Sequence, residues 1–161
     1  MKILTFLNLL FFSVFAYAEN IEVMKFATTI KESVSNKNIA DLKALKCYPE
    51  SNNCVSERAL EYIYNDNGAI HKLLSNKNIK IKIYGPYTYE AKHPNSSYAI
   101  LFYNPNIVKL SENGQLSEKT EKEQWNKNLT ETVVTVINGE VHLNRTIFYF
   151  GAHAPWADDY G

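Results

Sequence analysis

The sequence predicts an α+β fold, with N-terminal helices packed on a curved antiparallel sheet of four to five strands. Three observations carry this. Apolar residues recur at three- and four-residue steps between Ile21 and about Leu74. From Asn78 the period changes to two, as Ile79, Ile81 and Ile83 alternate with lysines. Near the C-terminus, two β-rich runs at 133–137 and 140–150 are separated by Asn138-Gly139. Asn-Gly between such runs is the strongest short-range hairpin signal. Helix and strand patterns are segregated along the chain, which is the α+β arrangement.

The chain opens on Lys2, an apolar run over 3–15, and Ala16-Tyr17-Ala18 before Glu19. A short positive start, an apolar stretch and a small-x-small signature describe an export leader, with cleavage after Ala18. The run is too short for a membrane span. Residues 1–18 are therefore read as a signal peptide and 19–161 as a single α+β domain, periplasmic or extracellular. The remaining chain, 161 residues less 18, fits one core. Seventeen basic residues face 17 acidic ones. That balance gives no support for a nucleic-acid partner, or for a membrane surface once the leader is removed.

The elements follow in order. Residues 21–35 place Val23, Phe26, Ala27, Ile30 and Val34 on one helical face. Asn38 caps a second short helix with Ile39, Leu42 and Leu45 inward, and Tyr48-Pro49 ends it. Cys47 and Cys54 follow, with six residues between them. An isolated close pair in an exported chain reads as a disulfide. Its small ring gives it roughly 2.5 kcal/mol in the chain-entropy model. Ser56 caps a third helix with Leu60 and Ile63, and a fourth carries Ile70, Leu73 and Leu74. Ile79 opens the first strand, which Tyr87 and Tyr89 extend past a kink at Gly85-Pro86. Residues 98–103 are almost wholly apolar, as a central strand covered on both faces should be. Residues 111–120 are a polar surface loop. Residues 121–126 read as a short edge strand anchored by Trp125.

A two-residue turn at Asn138-Gly139 pairs Val136 with Val141, Thr135 with His142, and Val134 with Leu143. Val134, Val136, Val141 and Leu143 then share the packed face. Thr135, His142 and Asn144 share a more polar one. Continuing the packed row brings Arg145 into it, followed by Ile147 and Tyr149. A guanidinium there needs an acidic partner, a curved sheet edge or an anion in a pocket.

Helices at 21–35 and 57–74, the Lys46-Cys47-Tyr48-Pro49 segment and the long hairpin at 133–150 together resemble the nuclear-transport-factor-2-like, cystatin-like cone fold. The resemblance covers most of the chain and is architectural. It implies a cone-shaped pocket between helix and sheet, and often a homodimer through the sheet. Its members include isomerases, dehydratases and non-enzymatic binding modules, and fold alone does not choose among them.

The residues point to no catalytic set. His71, His93, His142 and His153 make no close ligand pair, and no metal or cofactor motif is present. His71 reads as a surface or capping histidine. His153 with Asp158 and Asp159 lies in a tail that Trp156 would dock over the sheet edge. There is no phosphate-binding glycine loop and no nucleophile elbow. Glu90 is the nearest acid to an inward strand position. Sequons stand at Asn95, Asn128 and Asn144. The expectation is an exported non-enzymatic module that binds a small ligand or a protein partner, of inhibitor or immunity type. Arg145, Tyr89 and Trp156 are its candidate contacts. A small isomerase- or dehydratase-type pocket enzyme is the alternative.

Overall fold

The computed structural model describes residues 2–48, 53–65, 68–87, 96–110, 123–144 and 146–148, with backbone alone for 2–18 and Tyr87. Among these residues the chain forms four helices followed by a four-stranded antiparallel sheet of order β1-β2-β3-β4. The α+β prediction therefore holds. The elements are α1 (Lys2–Ser35), α2 (Ile39–Lys43), α3 (Glu57–Tyr64), α4 (Ala69–Ser75), β1 (Lys80–Tyr87), β2 (Ser96–Tyr103), β3 (Leu129–Ile137) and β4 (Glu140–Leu143).

α1 is one continuous helix that begins well before the expected start at Ile21. Its predicted stripe is buried: Val23, Ala27, Ile30 and Val34 are inaccessible, and Phe26 packs against them. At the far end, His71 Nε2 lies 3.3 Å from the Ser35 carbonyl, and Ser35 Oγ donates to the Leu74 carbonyl at 2.9 Å. Carbonyls left over at the helix end are thus satisfied by a neighbouring helix. Asn38 and Ser56 cap α2 and α3 as their residue types predict, accepting from Asp41 N and Ala59 N.

α2 corrects one expectation. It is a single short turn ending at Lys43, so it holds only Leu42 inward, and Ile39 remains 42% exposed.

The sheet follows the hairpin signal. Asn138 and Gly139 both take positive φ, 51° and 80°, as a type I′ turn demands. The pairs Val136↔Val141, Thr135↔His142 and Val134↔Leu143 form as predicted. β2 lies between β1 and β3, and six of its eight residues are buried. Tyr98, Ile100 and Phe102 join Val134, Val136, Val141 and Leu143 in the core under the helices.

Three further expectations are corrected. β4 ends at Leu143, and the described residues beyond it are bends, although Ile147 and Phe148 still reach the core. No strand forms at 123–126: Glu123 and Gln124 make a helical turn, and Trp125 makes one isolated bridge to Leu129. β2 is covered on both faces, as its apolar run predicts, but the more polar face of the hairpin is buried as well. Leu101 and Leu129 are buried there beside Val108, with Tyr84, Tyr103, Leu110 and Trp125 packed around them. Thr135 on that face is 3% exposed. A loop covering the outer face has replaced solvent, so the alternation of apolar and polar residues understates burial.

No helix among the described residues is long and apolar enough to cross a membrane.

Candidate functional site

Cys47 and Cys54 are joined, with Cα atoms 5.7 Å apart. Cys54 is inaccessible, seated in the main core beside Val55. Cys47 lies at the sheet edge. Tyr48 N donates to the Leu143 carbonyl at 2.7 Å, and Leu143 N donates to the Lys46 carbonyl at 2.8 Å. Segment 46–48 therefore runs parallel to β4 and covers its free edge, the kind of row that otherwise invites pairing with another chain. Ile147 N donates to the Cys54 carbonyl at 2.9 Å. The disulfide loop is thus tied to the chain on both sides of β4's C-terminal end.

Charged groups gather on this edge. Lys46 Nζ lies 2.5 Å from Glu140 Oε2, and His142 Nε2 lies 3.8 Å from the same oxygen. His142 Nδ1 sits 3.2 Å from the Cys47 carbonyl. Lys46, and then His142, hold the Glu140 carboxyl below the usual carboxylate range. Lys43 Nζ pairs with Glu57 Oε1 at 2.5 Å. Both pairs are exposed, and exposed pairs contribute little to folding. Stability therefore gives little account of them, and their placement matters more as surface chemistry.

Beside the Lys43–Glu57 pair lies a half-open cleft of about 260 Å³, lined by Lys43, Leu45, Cys47, Asn53, Cys54, Val55 and Glu57. Its floor is the disulfide and Val55, and its rim is the Lys43–Glu57 pair. That volume falls below the roughly 300–1,000 Å³ of small-molecule sites.

Two other polar groupings stand out. Glu131 is 3% exposed on the outer face of β3, paired in register with Leu101. Tyr84 and Tyr103 belong to the apolar cluster on that same face. On the inner face, Tyr98 is inaccessible and its hydroxyl donates to Glu19 Oε2 at 2.6 Å. Burial and the neighbouring carboxylate both push the Tyr98 phenol well above its usual range. Burial also raises Tyr62, whose hydroxyl accepts from Asn126 Nδ2, while Asn126 Oδ1 accepts from Thr130 Oγ1. That chain of bonds ties α3 to the start of β3.

Of the contacts expected from the sequence, Cys47 and Cys54 come together. Arg145, Tyr89 and Trp156 lie outside the described residues, as do Glu90, His93, Asn95, His153, Asp158, Asp159 and the loop at 111–120. Among the described residues, no cluster of three His, Cys, Asp or Glu could hold a metal.

Sequence reasoning did not find Glu131, the Tyr98–Glu19 bond or the strap at 46–48. Glu131 had a signal: two steps from Val133, it shares the parity of Thr135 and therefore the outer face. The strap has none, since it depends on where the disulfide loop lands.

In comparisons with protein-family models, curated proteins and solved structures, nothing matches this chain.

Proposed function

We propose that this chain is an exported, non-enzymatic binding module that takes a protein partner at the disulfide-pinned edge of its sheet. The observation that carries the reading is the cleft beside Cys47 and Cys54. It is a size suited to one large side chain of a partner, with an apolar floor and a charged rim. A rigid floor favours binding, because little ordering entropy is lost there.

The space between helices and sheet supports the same reading. Tyr98, Ile100 and Phe102 fill it from β2, against Val23, Ala27 and Ile30 of α1. Side chains there leave the chemistry to the surface. The order of helices and strands is also the one that the nuclear-transport-factor-2-like resemblance implies, and we carry that membership as part of the proposal.

A second reading, a small enzyme of the cone fold, draws on Glu131. A buried acid near tyrosines is the arrangement that acid–base isomerases use. It ranks second because the cleft described above does not include Glu131.

The test is capture from the exported fraction of the source cells by the immobilised chain, run beside Asn53→Trp. Asn53 is exposed on the cleft wall, so tryptophan there plugs the cleft and leaves the core alone. The expected result is a partner held by the wild type and lost by the variant. A partner held equally by both, or turnover of a small molecule by the purified chain, contradicts the reading.

A further inference from the structure

We propose that the hydrogen bond from Tyr98 to Glu19 is a folding-gated lock on the junction between residues 18 and 19. Leader removal then has to precede folding, and a chain that folds first keeps its leader. The inference rests on reading 1–18 as an export leader.

Three observations carry it. α1 runs unbroken from Lys2 to Ser35, so the junction is helical in the folded chain. Peptidases hold their substrates extended, as an added strand, and a helical junction has to unwind first. Second, the first residue past the junction is already anchored: Glu19 accepts the Tyr98 hydroxyl at 2.6 Å, and Val23, one turn on, is inaccessible. Unwinding the junction therefore pulls against tertiary contacts as well as helical ones. Third, the partners are 79 positions apart. Tyr98 sits on the central strand, so the bond exists only once the sheet has formed. Helices form in about a microsecond, whereas sheets with distant pairings take milliseconds to seconds. That interval is when the junction is open to cleavage.

Once folded, cleavage tracks the small population in which the first turns of the domain have detached. A retained leader would leave the domain on a helical stalk of about 25 Å, the length of residues 2–18 at the usual rise. The lock thus sorts chains into released and tethered forms by the order of two events.

The test uses the full chain, folded in mild detergent, and a purified membrane signal peptidase that cuts after small-x-small motifs. A synthetic peptide spanning residues 8–30 is the unlocked control. The peptide should be cut after Ala18, and failure to cut it would remove the leader reading and the proposal with it. With the peptide cut, the folded chain should be cleaved at least about a hundredfold more slowly. Tyr98→Phe, shown folded by circular dichroism, should recover about tenfold, the effect of losing a hydrogen bond to a carboxylate. Tyr103→Phe, on the outer face, should recover nothing. Glu19→Gln, corrected by the matching peptide, should act in the same direction as Tyr98→Phe. Equal rates for peptide and folded chain, or an unchanged rate in both Tyr98→Phe and Glu19→Gln, would overturn the lock.

Discussion

Ile147 donates its backbone N–H to the carbonyl of Cys54 at 2.9 Å, so the chain leaving the last strand is fastened to the far side of the disulfide loop. Cys47, on the near side, bridges Leu143 of β4. One covalent bond therefore holds a strap, a strand end and the cap of α3 in a single corner.

Replacing Cys54 with Ser should lower stability by roughly 2–3 kcal/mol, through lost loop closure and a hydroxyl placed in an apolar seat. Urea unfolding should show a loss in the reduced wild type as well, somewhat smaller than in the variant, because reduction removes loop closure without adding a hydroxyl. Thiol titration of the denatured, unreduced wild type should find none, and two titratable thiols would end the account of this corner.

The Tyr98 phenol gives a pH dependence of definite sign. Its folded pKa lies above the roughly 10 of an unfolded tyrosine. Its contribution is fully present below that pH and is lost as pH rises through the folded value. Melting temperature should therefore fall more steeply above pH ~10 for the wild type than for Tyr98→Phe. At neutral pH the variant should be less stable by about 1.5–3 kcal/mol, the worth of a hydrogen bond to a charged group. Parallel alkaline curves would show that the buried phenol contributes nothing.

Thr132 offers a gain. It is 3% exposed, and its Oγ1 has no hydrogen-bond partner among the described residues. It lies on the inner face opposite Ile100. Thr132→Val keeps the shape and removes an unsatisfied hydroxyl, so stability should rise by about 1 kcal/mol or more. A denaturant midpoint that falls instead would mean the hydroxyl is satisfied.

Two glycines separate strain from collision. Both have positive φ, 127° at Gly85 and 80° at Gly139. A Cβ at Gly139 meets nothing within 4 Å, whereas at Gly85 it would come within 2.7 Å of the Ser97 carbonyl oxygen and 2.9 Å of Tyr98 Cδ1. Gly139→Ala should cost about 1–2 kcal/mol, the left-handed penalty alone. Gly85→Ala adds displacement of β2 and should cost clearly more in the same denaturation assay.

The fold was legible where local rules and tertiary context agree. Asn138-Gly139 sets the turn, the turn sets the register, and the register places Val134, Val136, Val141 and Leu143 on one face. The caps at Asn38 and Ser56 and the stripe of α1 read equally well. Legibility failed where covering segments decide the outcome. Thr135 and Glu131 stand at polar positions of an alternating strand, and only a loop arriving from elsewhere buries that face. Ile39 shows the reverse, since a helix of one turn is too short to bury both of its isoleucine and leucine positions. Of the site, the disulfide was legible and the cleft was not. A cleft is made by elements distant in sequence, here Lys43 and Glu57 meeting across a loop.

The central claim is that partner contacts gather at the disulfide edge. Hydrogen exchange of the chain, free and bound to the captured partner, tests it most directly. The account predicts added protection at residues 43–47 and 53–57, with the outer face of β2 and β3 unchanged. Protection confined to that outer face, around Leu101 and Glu131, would contradict it.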